Sequence, residues 1–548
     1  MRPAELGLYW HTLRHLRPVQ VMGRVRHRFA FPSIDERTPL ARRVATGPWR
    51  APLARRQSYF PPGEFRFLNT AGRLAERGGW TDASPDKLWL YNLHYFDDLA
   101  AGDGRERRDA QRALMQRWVA ENPPREGVGW DSYPVSLRLV NWTKWALSGN
   151  TLPADCELSL VVQARWLRRR LEWHLLGNHL LANAKALVFA GLYFDGPEAE
   201  EWLAAGLRVL GAQIAEQVLP DGGHFELSPM YHAIALEDVL DLINAADHWT
   251  GALPPGTGEH WRSTAIRMLG WLAAMSHPDG EIAFFNDAAM GISGNLGSLS
   301  DYAVRLGLDA PAGAGNSGSR LLPCSGYARL ASGPAVLLAD VGPVGPDYLP
   351  GHAHADTLSF ELSLFGGRVV VNSGTSCYGL GPQRLRERGT AAHSTVQLGI
   401  ADSSEVWSGF RVARRARPLD RVNAREGGTE VLECSHDGYR RLPGAPLHRR
   451  CWRLWADGVE VLDRIGPSPL LRTARYFLHP GVRWRCASPR RVTLGHASWP
   501  REVDVTFGED CEVEVEEAEW HPEFGVSLSN ACIVARFRGE RLATRFDW

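Results

Sequence analysis

Residues 351–398 read GHAHADTLSFELSLFGGRVVVNSGTSCYGLGPQRLRERGTAAHSTVQL, and the rest of the chain is organised around them. LSFELSLF and RVVVNSG are short, rich in β-branched and aromatic residues, and bounded by Gly-Gly and Ser-Gly, which predicts strands. Three histidines (His352, His354 and His393) and Asp356 fall among these runs. On a strand, the His-x-His spacing points both imidazoles to one face of the sheet. There they can share a task, such as metal ligation or base chemistry beside an orienting group. A lone His in such a setting is more often a core residue. Three of them with an acid and an apolar-flanked Asn372 weigh toward a site.

Downstream the texture stays the same. YARLASGPAVLLAD, GTEVLECS, HRRCWRLWADGVEVLDRIG, CEVEVEEAEW and ACIVARFRG recur with turn signals between them, which predicts an antiparallel β-sandwich. Upstream, a small-residue linker, PAGAGNSGSRLLPCSG (311–326), closes a different region. From LWLYNLHYFDDLA (88–100) to about residue 310 the apolar residues recur at helical spacing, in long segments joined by short Gly/Pro/Asp turns. Helix pairs of that kind predict a toroid or solenoid. Residues 1–30 read as one amphipathic, Arg-bearing helix with Leu6, Tyr9, Leu13 and Leu16 on a face. Residues 31–85, rich in Pro, Arg and Gly, read as an irregular wrapping segment. The expected division is 1–85, then a helical domain over 86–320, then a β-domain over 321–548, with the site in the cleft between the last two.

Composition narrows the function. Sixty-two basic and 62 acidic residues leave no net charge, so no bulk field favours nucleic acid or an anionic membrane, and neither is expected as a partner. No window of 18 apolar residues and no secretory h-region are visible, which gives a cytoplasmic expectation, with periplasmic or secreted placement left open. Eight Cys without a CxxC read as reduced thiols. Only Lys87, Lys144 and Lys185 are lysines, so the positive charge is almost all Arg, a side chain whose fork suits carboxylates and sulfates. The absence of a Walker loop, a GxSxG elbow and an HExxH motif counts against nucleotide, serine-hydrolase and zincin chemistry.

A second cluster of chemistry lies in the helical region. GNHLLANAK (177–185) puts Asn178 and His179 at a helix end, where an amide and an imidazole can donate to an anion. In DGGHFELSPMYH (221–232) Tyr231 follows Ser-Pro, where a helix begins. Flanked by Glu226 and His232, its phenol is expected to have a lowered pKa and to carry a proton. Trp130 and Tyr133, from GVGWDSYPVSLRLVN, and Asn92, from YNLHYF, are candidate sugar-binding residues, as are Glu226 and Arg388; core or capping roles compete at each.

Taken in order, LEWHLLGNHLLANAKAL, LPDGGHFELSPMYH and GHAHADTLSFELSLFGGRVVVNSGTSCYG with RGTAAHSTVQL resemble the heparinase II/III family of polysaccharide lyases. The resemblance implies an α+β multidomain fold, an incomplete (α/α) toroid followed by a C-terminal antiparallel β-sandwich. It also implies β-elimination on a uronic-acid-bearing polysaccharide, glycosaminoglycans such as heparin or heparan sulfate, chondroitin and hyaluronan ahead of alginate, leaving a 4,5-unsaturated uronate. By the same resemblance Asn178 and His179 neutralise the uronate carboxylate, Tyr231 and His352 supply acid/base function, and His354 and His393 ligate a metal in the β-domain. That ion, zinc or manganese, would be structural or orienting. Asn372 stands where the family commonly has Asp, which predicts a weaker site. Two other readings compete: a glycoside hydrolase using Glu226 with Asp131 or Asp287, and a non-catalytic exopolysaccharide-binding protein.

Overall fold

The structure is a computed structural model that describes residues 3–74, 78–82, 86–102, 106–311 and 318–548; linker residues 312–317 lie outside them. Two helices, Pro3–Leu13 and Pro18–Phe29, stand where one was expected. Pro18 supplies the first-turn residue of the second, where a missing N–H costs nothing. The wrapping segment is also less irregular than its composition implies. Tyr59–Phe60, Glu64–Phe67 and Thr70–Arg73 form a small antiparallel sheet that seats Phe65 and Phe67 in the helical core.

Nine further helices follow among the described residues, from Lys87–Tyr95 to Leu296–Arg305, and Pro229–His248 packs against Thr257–Ala274. Helix Gly177–Tyr193 is buried on every side beyond its first turn, its mostly apolar run interrupted by Asn183 and Lys185, which are paired with Glu172 and with Asp238 and Asp241. It lies close against Pro197–Gln217. A Cβ on Gly191 would fall 2.6 Å from Leu203 Cβ, and one on Gly206 2.9 Å from the Val188 nitrogen. The two glycines let the helices approach to that distance.

The β-domain is a sandwich of two antiparallel sheets. In one, Phe360–Leu364 and Gly367–Val371 lie at the middle of a nine-stranded order; the other has eight strands running from Pro418–Glu426 to Arg483–Ser488. All five residues of Phe360–Leu364 are buried, because the strand is covered on both faces. Phe360, Leu362 and Leu364 enter the sandwich core. Glu361 and Ser363 point the other way, to His277 at the end of the helical half, at 2.7 Å each. Asp221 caps the Cys324 and Ser325 backbone nitrogens across the same seam. Glu523 meets Asn69 and Arg56 further along it. The two halves are therefore joined by polar contacts, buried at His277 and exposed at Arg56–Glu523.

Candidate active site

Three segments with unusual backbone bring the site together. Leu176 and Gly177 both have positive φ before Asn178, Leu227 has φ 58° after Glu226, and Asn286 has φ 55° before Asp287. Left-handed leucines are sparsely populated, and clusters of such residues mark sites held against local preference. At Gly177 the reason is visible: a Cβ there would lie 2.7 Å from Glu226 Oε1, the atom that accepts the Asn178 backbone N–H at 3.1 Å.

On the helical side, His179 donates from Nδ1 to Glu172 Oε1 at 3.2 Å. Glu172 is fixed in turn by the Asn183 amide and itself donates its backbone N–H to Asn183. Burial opposes a charge on His179, but Glu172, by charge and hydrogen bond, outweighs it and raises the imidazole above its ordinary value. Tyr133 lies 4.4 Å from that ring, centroid to centroid. The Asn178 carboxamide takes no protein partner among the described residues.

Helix Pro229–His248 begins at Ser228, whose hydroxyl accepts the Tyr231 N–H, as the Ser-Pro pair predicts. The Tyr231 ring stacks on His352 with centroids 3.8 Å apart, and its hydroxyl is 2.9 Å from that of Tyr378. The expectation of a lowered phenol pKa is wrong. Burial, then Tyr378 and Asp287, push Tyr231 well above the usual range, so the phenol keeps its proton at neutral pH.

His352 and His354 do not sit on a strand. They lie in a turn-rich segment ahead of Phe360–Leu364, held to residues 286–287 by the Asp287 backbone N–H donating to the His352 carbonyl and the His354 N–H donating to the Asn286 side-chain Oδ1. Both rings nonetheless converge on one acid. His352 Nδ1 meets Asp287 Oδ2 at 2.9 Å and His354 Nε2 meets Asp287 Oδ1 at 2.8 Å. Arg384 forks onto the same carboxylate. Burial alone would push Asp287 up, but Arg384 and the two imidazoles hold it well below the usual carboxylate range. With Asp287 accepting at Nδ1, the His352 lone pair is on Nε2, 3.5 Å from Glu226 Oε2. Glu226 is buried, and desolvation raises its carboxyl despite His352 and the Asn178 N–H.

The metal expectation meets a specific geometry. His354 Nδ1 and His393 Nε2 are 3.1 Å apart, and His393 Nδ1 donates to the Gly389 carbonyl at 2.8 Å. Acceptors at both ends place a proton on each outer nitrogen. Burial keeps both rings neutral, with His354 down to about 4. Two lone pairs therefore face one another. A tetrahedral ion with metal–nitrogen bonds of about 2.0–2.1 Å would hold its nitrogens slightly further apart, so the pair fits a shared cation. Asn372 fits less well: its oxygen accepts the Ser394 N–H, and its amide donates to Phe284 O and Ser359 Oγ. Among the described residues, no group of three His, Cys, Asp or Glu could hold a metal ion.

Three sugar-contact candidates have other tasks. Trp130 is core, packed on Trp118 with its N–H to the Asn122 carbonyl. Asn92 bonds back to the Leu88 carbonyl and lines a small cavity with Tyr59, Phe65 and Leu114. Arg388 is wholly buried and clasps the Ala353 carbonyl, with desolvation bringing its guanidinium down to about 9. Of the groups that do build the site, Tyr378 and Arg384 escaped sequence reasoning; their signals were a Tyr-Gly loop after Asn372 and an Arg one helical turn before Arg388. Asp287 entered it only as a hydrolase acid.

The chain thus joins a helical domain to an antiparallel sandwich, with Asn178, His179, Tyr231 and His352 gathered around Glu226 and Asp287. Two family models match the chain: "Heparinase II/III N-terminus" over residues 100–302 and "Heparinase II/III-like, C-terminal" over 314–548. The chain belongs to the heparinase II/III family of polysaccharide lyases. It is 28% identical over 455 residues to the FtsZ-localized protein C of Caulobacter vibrioides, covering 75% of this chain and 73% of that protein. It is 27% identical over 314 residues to a heparin-sulfate lyase of Bacteroides stercoris, covering 50% of this chain and 41% of that one, so it spans less than half of that lyase's length. A crystal structure of heparinase III superposes with TM-score 0.65 over 84% of this chain and 76% of that one, at 18% identity, which establishes the common fold.

Proposed function

We propose that the protein cleaves a uronate-bearing polysaccharide of the glycosaminoglycan class by β-elimination. The observation that carries the reading is the Tyr231–His352 stack, with Asp287 behind His352 and Tyr378 beside the phenol. The C5 proton of a uronate is weakly acidic while its carboxylate is a full anion. His179, whose imidazole Glu172 raises above its ordinary value, and the Asn178 amide would bind that carboxylate, and both strengthen as negative charge builds toward the enolate. His352 Nε2, with its tautomer set by Asp287, would take the C5 proton. Tyr231, protonated because it is buried, would deliver one to the departing C4 oxygen. The C4–O bond breaks, a C4–C5 double bond forms, and no water is consumed.

The hydrolase alternative fares worse. Asp287 is spent on Arg384, His352 and His354, and Asp131 is tied to Tyr91 and Lys87. Screening heparan, chondroitin, hyaluronan and alginate polymers for new ultraviolet absorbance tests the reading; reducing ends appearing without absorbance would contradict it.

Glu226, raised by desolvation, serves here through its Oε1, which accepts the Asn178 backbone N–H beside the carboxylate pocket. Glu226→Gln is therefore expected to keep turnover within about tenfold, the scale of one exchanged hydrogen bond. Abolished activity in Glu226→Gln would instead make Glu226 an ionising catalyst.

His354 and His393, with Asn372 as a weak third ligand, would hold a divalent ion, zinc or manganese, that fixes the segment bearing His352. Such an ion is structural, and no proton passes through it. Chelation is expected to lower the melting temperature and activity together, and added Zn²⁺ or Mn²⁺ to restore both. Active protein free of metal by elemental analysis, with a melting temperature indifferent to chelator, would defeat this.

A further inference from the structure

Among the described residues, eight of the nineteen exposed large hydrophobic ones fall within residues 6–31. Leu6, Trp10 and Leu13 recur at helical spacing along one face of Pro3–Leu13, with Trp10 66% exposed. On Pro18–Phe29, Val21, Met22, Val25 and Phe29 cover about a third of the circumference, and Phe29 and the adjoining Phe31 are 77% and 73% exposed.

These faces point outward because the opposite ones are fastened. Gln20 donates to the Tyr348 carbonyl, His27 packs on His174 with centroids 4.2 Å apart, and Gly23 sits where a Cβ would be 2.8 Å from the His174 nitrogen. Tyr9 packs on Trp407 and Thr12 accepts from its indole N–H. On a helical wheel Arg24 and Arg28 border the apolar stripe on one side and Arg26 on the other. All three are exposed, and none has an ion-pair partner among the described residues. The helix Pro18–Phe29 contains no acid at all.

An apolar stripe edged by arginines on a helix of low overall hydrophobicity is the pattern of a helix lying in a lipid interface. We infer that the outward faces of these two helices dock on an anionic lipid surface. Charge decides between lipid and a second copy of the chain. An isologous pairing of this face would bring the arginine borders of both copies together, whereas acidic headgroups neutralise them. Net neutrality, which argued against a membrane partner, averages over this segment: residues 5–31 hold five Arg against the single acid Glu5. Arg17 and Gln20 also brace Tyr348, in the loop that leads to His352, so docking would set the cleft beside the lipid.

The test is co-sedimentation of the full chain with phosphatidylglycerol/phosphatidylcholine vesicles, against phosphatidylcholine alone, at low and high salt. Binding should require phosphatidylglycerol and weaken as salt rises. Val25→Glu with Phe29→Glu should lower apparent affinity by about tenfold or more while leaving melting temperature and cleavage of a soluble oligosaccharide unchanged. Arg24→Glu with Arg28→Glu should do the same through charge. Failure to sediment with any vesicles, or binding indifferent to lipid charge and salt, would overturn the inference. So would a dimer by light scattering that the Val25→Glu/Phe29→Glu variant turns into monomer.

Discussion

Tyr231→Phe is expected to lower kcat on a cleavable uronate polymer by about 10²–10⁴-fold, the usual contribution of one positioned proton donor. KM and melting temperature should barely move. The phenyl ring keeps its stack on His352, and the Ser228 cap and Pro229 still start the helix. What is lost is the hydroxyl next to Tyr378, the group that burial keeps protonated. A fall in kcat and kcat/KM together would place the contribution in the transition state. If more than about a tenth of kcat survived, the proton would have to come from elsewhere. Tyr378 is the first candidate, and Tyr378→Phe in the Tyr231→Phe background would show it.

Asp287→Asn should be the most damaging single substitution for both stability and activity. Arg384 has no solvent exposure, and its fork is closed by this carboxylate. Removing one member of a buried pair leaves an uncompensated charge, at about 3–5 kcal/mol. The amide also has one acceptor where the carboxylate serves His352, His354 and Arg384, so His352 loses the partner that sets its tautomer. Asp287→Asn with Arg384→Met should recover part of the stability and none of the activity, which separates the two roles. The pH dependence has a definite sign. A carboxyl depressed in the folded state contributes stability above its unfolded value, near 4, and loses it as pH falls through the folded value. The wild type should therefore lose this contribution in acid, and Asp287→Asn should show a flatter acid limb.

The architecture was legible because periodicity changes so clearly near residue 320, from helical spacing to short strands. The helix start before Tyr231 was legible from Ser-Pro. Other features depended on partners far along the chain. The direction of the Tyr231 shift is set by burial, Tyr378 and Asp287, which no local pattern joins. Arg384 and Arg388 share a helix face, and periodicity cannot say which of them meets an acid nearly a hundred residues away. The His352 and His354 rings converge on Asp287 from a turn segment, without the strand ladder that the His-x-His spacing predicts. Trp130 shows the limit of composition: an indole suited to stacking on sugar is equally suited to a core.

The central claim is that the bond breaks without water. One uronate-containing oligosaccharide of defined structure, cleaved once and weighed by mass spectrometry, tests it most directly. Elimination predicts two fragments whose masses sum to that of the parent, with the unsaturated uronate at the new non-reducing end. Fragments summing to the parent plus one water would contradict it and make the protein a hydrolase.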